Sequence, residues 1–446
     1  MRYSKLLKNT VFYKRSQPNM RHFTQVLFPK QKGIFTFDLQ TNRKDMSSKA
    51  QYLIIEVIDS AQIRIFHEFP AGLYKNDNNW NRPLDVQVEE IFDKQHNKQL
   101  KNGDIKRWIL KDSKGQCLGR IAAFYTEDSY TQYDRPTGGV GFFDAVNDKE
   151  IAEMLFDVAK SWLESNQIQA MDGPINPGMR DAFWGCLVDG FYEPVFQMPY
   201  NYPYYKDLFE EYGFKNYFNQ YTYQRTFEDT SDLHPVLHRT ASRILSNPDY
   251  EFKLIEKGNT KFALDFKIIY NQAWSKFTGT KDITDQEALS LLKSMEPIMD
   301  ERLIIYGYYK GEPIAFFIMM PDIGQITKKF NGKFNWFNKL RFFWELRINH
   351  GIDRVIGRIF GVIPSFQNKG VEGALVLFFQ EQVLKPTFKY KTFELNWIGD
   401  FNPVMMKVAS FIGGAIYKTH VTYRYLFDRN AEFKRAPFVN LSGNSM

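Results

Sequence analysis

The sequence predicts an α/β fold, an α+β arrangement around a mixed sheet, built as two tandem halves. Three observations carry this. Short β-rich runs alternate with amphipathic helical runs through most of the chain. A rhythm of strand, helix, strand, helix, strand, closing on glycine and an apolar run, occurs once before residue 228 and again before residue 430. The length of 446 residues also exceeds the roughly 250–300 at which one core stops growing.

In chain order, Ile63–Phe69 and Lys106–Leu110 read as strands, and Cys117–Tyr125 pairs with the latter through the turn-rich Lys111–Gly115. Gly138–Phe143 is a further short strand. Asn147 and Asp148 cap a helix whose apolar residues Ile151, Met154, Leu155, Val158, Ala159, Trp162 and Leu163 keep one face. Pro174, Pro177, Pro194, Pro199 and Pro203 then exclude regular structure and predict an ordered loop over a site. A helix Tyr204–Tyr212 ends at Gly213, and a strand Tyr217–Phe227 follows.

Beyond a polar stretch, Arg302–Tyr309 and Pro313–Pro321 form a hairpin about Lys310–Gly311. Arg354–Ile363 is a strand, Gly370–Leu384 a helix, Thr392–Trp397 a strand, Pro403–Ile412 a helix and Ile416–Phe427 the last strand. The expected division is residues 1–45 as a basic extension, disordered or mis-called upstream of Met46; 46–228 as the first half; 229–250 as a connection; and 251–446 as the second half.

The net charge is +7, from 58 Lys and Arg against 51 Asp and Glu. Residues 1–44 hold ten of the cations and one acid, Asp38, so the remainder stands at −2. A near-neutral body argues against a nucleic-acid partner, which needs a basic surface. Two cysteines, Cys117 and Cys186, cannot form a disulfide framework and point to a reducing, cytoplasmic setting. The longest apolar run, Ile314–Met320, is seven residues, far short of a membrane span.

The segment richest in chemistry is Arg358–Ala374. A β-branched strand meets Pro364, a short polar loop containing Gly370 follows, and a helix opens. Backbone N–H groups at such a junction, with the positive end of a helix dipole and the charge of Lys369, suit a phosphate or pyrophosphate.

These residues resemble the GNAT (acyl-CoA N-acyltransferase) superfamily, matching its signature at Val362-Ile363-Pro364 and Gln367-Asn-Lys-Gly370. The resemblance implies an acyl-CoA co-substrate, with pyrophosphate contacts from Gln367, Asn368, Lys369, Gly370, Val371 and Gly373. It further implies pantetheine pairing along Val362 and Ile363. Glu372 departs from the pattern, standing where glycine or alanine is usual. The run Phe393–Met406, with Asn402 entering a helix, and then Gly413-Gly414 match the way the GNAT core ends. Glu394 is the candidate base, since an ammonium must lose its proton before it attacks a thioester. The family's tyrosine acid is missing at Ala409 and Ser410. Tyr417, Tyr423 or water stands in for it, and Tyr423 is the residue carried forward with Glu394.

The first half lacks the loop signature. Its runs Gly173-Pro-Ile-Asn176-Pro177, Leu187–Phe191 and Met198–Tyr205 resemble tandem GNAT-like bacterial proteins that are similar to bacterial ceramide synthases. The resemblance covers about residues 60–430 and implies a degenerate first copy shaping an acceptor site, with Asn176, Tyr200, Asn201 and Trp397 as substrate contacts. The activity implied is N-acyl transfer to a primary amine, with a lipidic acceptor or a long-chain donor. The alternatives are a Fem-type aminoacyl transferase, which the near-neutral body disfavours, and a non-catalytic CoA- or lipid-binding protein.

Lys328–His350 interleaves Lys328, Lys329, Lys333, Lys339, Arg341 and Arg347 with large aromatics, a composition suited to peripheral membrane contact. His234 and His238 lack the partners of a metal site, so no metal is expected.

Overall fold

The computed structural model describes residues 34–38, 51–131, 133–178, 180, 182–227, 235–274, 282–349 and 351–438. The chain begins with β1 (Ile34–Asp38), β2 (Gln51–Glu56), α1 (Ser60–Leu73), α2 (Asp85–Phe92), β3 (Asp104–Lys111) and β4 (Cys117–Tyr125). It continues with α3 (Asp128–Thr131), β5 (Thr137–Ala145), α4 (Lys149–Ser165), β6 (Ala170–Gly173), β7 (Cys186–Asp189), α5 (Tyr205–Tyr212) and β8 (Lys215–Thr226). The second half runs α6 (Pro235–Leu245), β9 (Tyr250–Leu254), α7 (Lys261–Trp274), α8 (Asp285–Met295), β10 (Ile304–Tyr309), β11 (Glu312–Pro321), α9 (Gly324–Thr327) and α10 (Trp336–Arg347). It ends with β12 (Arg354–Val362), α11 (Val371–Val383), β13 (Thr392–Gly399), α12 (Pro403–Phe411) and β14 (Ala415–Leu426).

One element differs in kind from its sequence reading. Ile63–Phe69, expected as a strand for its β-branched residues, lies within α1. Asp59 and Gln62 form a capping box at its start, and Phe66, His67 and Pro70 are buried at helical spacing. The capping signal outweighs β-propensity because it satisfies backbone donors that a strand would have to pair elsewhere. Residues 34–38, within the expected extension, pair antiparallel with β2. Helix α6 lies within the expected connection and packs Ala241 and Ile244 against Ala374 of α11. His234 falls outside the described residues.

The strands form one mixed sheet in the order β1-β2-β3-β4-β5-β6-β14-β8-β13-β12-β11-β10-β9, with β7 on β14. All neighbours are antiparallel except two corresponding pairs, β5 with β6 and β12 with β13. Each parallel pairing is short: Thr137–Gly139 against Ala170–Asp172, and Arg354–Gly357 against Thr392–Leu395. Each long partner bulges as the pair separates, β5 near Phe142 and β12 at Arg358. The two halves thus repeat one arrangement of strands about a short parallel pairing.

The last strand of each half pairs into the other half: β8 lies on β13, and β14 lies on β6. Two large apolar cores result. One is built on α4, α5 and strands β3–β5, the other on α7, α11 and strands β10–β13. In the first, the backbone of Gly119 lets α4 approach so closely that a Cβ there would sit 2.6 Å from Leu155 Cδ1.

The gap left where β5 and β6 separate is filled by the chain itself. Ile175 donates its N–H to Val140 O at 2.7 Å, and a Cβ on Gly141 would strike the Ile175 carbonyl. On the side facing β13, β12 pairs with no strand beyond Gly357 among the described residues. The first copy is thus filled at this place by its own chain, whereas β12 and β13 part without such a filling strand among the described residues.

Candidate active site

Strands β8 and β13 turn Tyr223, Phe393 and Leu395 toward the second core, and β14 turns Val421, Tyr423 and Tyr425 toward the first. Their other face is polar. Lys418, His420, Thr422 and Arg424 alternate along β14, and Gln220 and Thr222 along β8. All six are buried. Glu394 is fully buried on the same face, because it registers with Ile356, which packs under the loop residues Val195 and Met198.

This face is roofed by the proline-rich loop between β6 and α5. Trp184 Nε1 donates to Thr422 Oγ1 at 3.1 Å, and Trp397 Nε1 to Arg180 O at 2.7 Å. Phe196 N–H donates to Asp322 Oδ1 at 2.9 Å. His420 Nε2 lies 3.2 Å from Pro199 O, and since a carbonyl only accepts, Nε2 carries the proton and Nδ1 presents a lone pair. Burial pushes the His420 pKa down to about 4, so the imidazole is neutral at pH 7.

Glu394 anchors an ionic chain. Lys418 Nζ donates to Glu394 Oε2 at 2.7 Å, and Arg354 NH1 stands 3.6 Å from Oε1. Arg354 also donates through Nε to Asp322 Oδ2 at 2.8 Å and reaches toward Glu193. Burial pushes the Lys418 ammonium below the usual lysine range, against the pull of Glu394. Glu394 Oε1 accepts no hydrogen bond, and Gln220 Nε2, Thr222 Oγ1, His420 Nδ1 and both amide atoms of Asn396 are likewise unpaired among the described residues. Buried polar atoms are seldom left so, and their gathering on adjacent strands marks a surface suited to a polar ligand.

The repeat explains why Glu394 differs from its counterpart. By register, Asp172 holds the place in β6 that Glu394 holds in β13, with Arg424 opposite the one and Gln224 opposite the other. Arg424 grips Asp172 with two bonds, 2.7 Å from Nε and 2.8 Å from NH2, and Tyr217 stacks on the guanidinium at 3.6 Å. That carboxylate is fully committed. Glu394, opposite a neutral glutamine, keeps one oxygen for something else.

The remaining predicted residues separate into groups. Trp397 lies on the polar face, stacked on Phe218, where a one-residue bulge in β13 sets Asn396 and Trp397 opposite Thr222. Asn176 is buried and donates to the carbonyls of Ala182 and Phe183. Asn201 spends its amide on both backbone groups of Leu187, and Tyr200 donates to Asp77 Oδ2 at 2.7 Å. These three hold the loop in shape.

Tyr423 is not brought to Glu394. It points into the first core, stacks on Phe209 and donates to Glu210 Oε1 at 3.0 Å, with its pKa pushed up by burial. Tyr417 is the tyrosine near the site. It is the extra residue of a bulge beside Lys418, whose ammonium lies 4.6 Å from its ring centre, and it stacks on Tyr192.

At the loop opening α11, Asn368 and Gly370 take left-handed backbone conformations. A Cβ on Gly370 would press against Thr240 of α6 at 3.2 Å. Gln367 Nε2 donates to Val362 O at 2.9 Å, and Lys369 Nζ lies 5.4 Å from the Phe366 ring centre. Ile363 N–H is taken by Ile314 O, on the β11 side, and Val371 and Gly373 are buried at the helix start. Asn402 Oδ1 caps α12 by accepting the Met405 N–H. Glu372 turns inward, its Oε1 accepting the Asn368 N–H at 3.1 Å, and burial raises its pKa.

The polar face could have been found from the alternation of Lys418, His420, Thr422 and Arg424. In an isolated strand such a pattern reads as solvent-facing, and only the overlying loop makes it interior.

No family model matches the chain. It is 24% identical over 379 residues to protein YghO of Escherichia coli (strain K12), covering 84% of this chain and 95% of that protein. It is 24% identical over 382 residues to a bacterial ceramide synthase of Caulobacter vibrioides (strain NA1000 / CB15N), covering 84% and 98%. Among solved structures, a tandem GNAT protein from the clavulanic acid biosynthesis pathway aligns with a TM-score of 0.49 at 10% identity, over 86% of this chain and all of that one. A GCN5-related N-acetyltransferase from Sphaerobacter thermophilus aligns with a TM-score of 0.47 at 8% identity, over 86% and 98%. The chain thus resembles, across most of its length, two bacterial proteins, one of them a bacterial ceramide synthase.

Proposed function

We propose that the protein is an acyl-CoA-dependent N-acyltransferase acting on a primary amine, with a lipidic acceptor or a long-chain donor. The observation that carries this is the asymmetry between the carboxylates of the two halves: Glu394 keeps an oxygen that accepts no hydrogen bond, whereas Asp172 is locked by Arg424 through both of its oxygens. The name of the Caulobacter relative supports the lipidic substrate. In this reading residues 46–228 form the acceptor-shaping unit, 251–446 the donor unit, and 229–250 the segment between them.

The donor supplies a thioester. The side of β12 beyond Gly357, where Gln367 already holds the Val362 carbonyl, would lie along its pantetheine arm, and Gln367, Asn368, Lys369, Gly370, Val371 and Gly373 would border its pyrophosphate. These residues fit the group once Glu372 swings off the Asn368 N–H. Glu394 Oε1 takes a proton from the acceptor ammonium, directly or through a water, leaving a nucleophilic amine. The amine nitrogen bonds to the acyl carbon and gives up its second proton, the carbon–sulfur bond breaks, and that proton reaches the departing thiolate through Tyr417 or water. Lys418 and Arg354 hold the carboxylate in place.

The test is thiol release from acyl-CoA donors of graded chain length with a panel of amines that includes long-chain bases. Failure of every donor, together with no thermal protection by CoA, would overturn the reading. A second reading, a non-catalytic CoA or lipid binder, is favoured by the carboxylate of Glu372 within the anion loop. It gains if CoA protects the protein and no amine is acylated.

A further inference from the structure

Six of the seventeen large apolar residues exposed among the described residues sit on or beside the 12-residue helix α10. Trp336, Phe337, Leu340, Phe343, Trp344 and Ile348 are between 48% and 73% exposed. At 100° per residue they fall within an arc of about 140°, one continuous stripe along the helix. Phe342 and Glu345 face the other way and are buried. Scattered exposed apolar residues are ordinary, but a contiguous stripe of this size marks a docking surface.

The charges say what docks there. Lys339 and Arg341 border the stripe on its two sides, with Lys333 before the helix and Arg347 at its end, all exposed. The acid on the helix, Glu345, is turned inward, where Lys329 at 2.9 Å and Arg341 at 3.8 Å neutralise it. The stripe therefore offers apolar rings ringed by positive charge, with two tryptophans suited to an interface that is apolar on one side and wet on the other. An anionic lipid surface matches both parts.

The stripe leads toward the site. The turn before α10 follows α9, whose Thr327 lines a small surface recess together with Arg82, Leu84, Phe196 and Met198. Met198 packs on Ile356, the register partner of Glu394.

We propose that α10 docks the protein on anionic membranes through this stripe, so that the recess faces the lipid from which a substrate is drawn. The docking claim stands apart from acyl transfer: vesicles test the one, thiol release and CoA protection the other.

The experiment is co-sedimentation of the full chain with phosphatidylcholine vesicles containing about 30% phosphatidylglycerol, against phosphatidylcholine alone, at low and high salt. The expected result is at least tenfold stronger binding to the anionic vesicles, weakened by salt, with a blue shift of tryptophan emission. The double variant Leu340→Glu/Phe343→Glu should lose at least tenfold in binding while keeping the parent's far-ultraviolet dichroism, melting temperature and response to CoA. Equal binding by that variant, or no binding by the parent, would overturn the proposal. So would a concentration-dependent dimer that the variant dissolves, which would assign the stripe to a second copy.

Discussion

The carboxylate of Glu372 accepts the backbone N–H of Asn368 at 3.1 Å, so the turn that opens α11 holds an anion of its own. An N–H so occupied is not offered to a phosphate, and a second negative charge is repelled. Burial raises the pKa of this carboxyl, so it takes up a proton above the usual carboxylate range.

Two consequences are measurable. Glu372→Ala should bind CoA about tenfold more tightly by calorimetry. The parent's affinity should rise as pH falls into the raised range of this carboxyl, while the variant's changes much less. Weaker binding by the variant would mean that Glu372 shapes the turn rather than blocks it.

Glu394→Gln should lower thiol release by about 10²-fold or more, with CoA protection unchanged. Lys418→Met should lower activity less, because it frees a carboxylate from its holder without removing the base. A Glu394→Gln enzyme with full activity would remove this residue from the chemistry.

His420 gives the protein a pH-dependent stability. Its folded pKa is about 4 and an unfolded histidine titrates near 6.5, so between these values the unfolded chain binds more protons. The contribution is complete above about pH 6.5 and is lost progressively as pH falls toward 4, up to about 3 kcal/mol. Urea unfolding at a series of pH values should show this slope, and His420→Gln should flatten it.

Asp172 and Arg424 form a buried, bidentate pair on the first half's side of the polar face. Arg424→Leu strands a buried carboxylate and should cost about 3–5 kcal/mol in denaturant unfolding. Adding Asp172→Asn should restore part of that loss. A double variant no more stable than the single one would show that the cost lies in the lost stacking on Tyr217 instead.

Gly190 has φ +74°, and a Cβ there would fall 2.0 Å from the Tyr417 carbonyl oxygen. Gly190→Ala must move the loop off β14, and should cost about 2 kcal/mol or more in stability and also activity, since Tyr417 and Lys418 are the residues displaced.

Elements with strong local signals were legible in the sequence. Cys117–Tyr125 is a strand over the expected residues, Asp148 caps α4, and Gly213 closes α5 in a left-handed conformation. Where two local signals competed, as at Ile63–Phe69, β-branching masked a capping box. The site was legible only in part. Glu394 and Trp397 were marked by their place after a strand–loop–helix motif. Lys418, His420 and Gln220 were not, because a polar residue's burial depends on what lies over it, here a loop that for Lys418 and His420 is more than 200 residues away in sequence. Tyr423 was misplaced for the same reason: the aromatic pattern of β14 does not say which of its two faces meets the carboxylate.

The exchange of β8 and β14 has a consequence for synthesis. The edge of β6 that β14 covers emerges from the ribosome with the first half but stays open until the last strand follows. The first half therefore reaches its final pairing only after β14 has been made. A chain stopped after β13 leaves that edge exposed and Glu394 without Lys418, so covering the β6 edge and completing the surroundings of the buried Glu394 carboxylate are one event, set by β14.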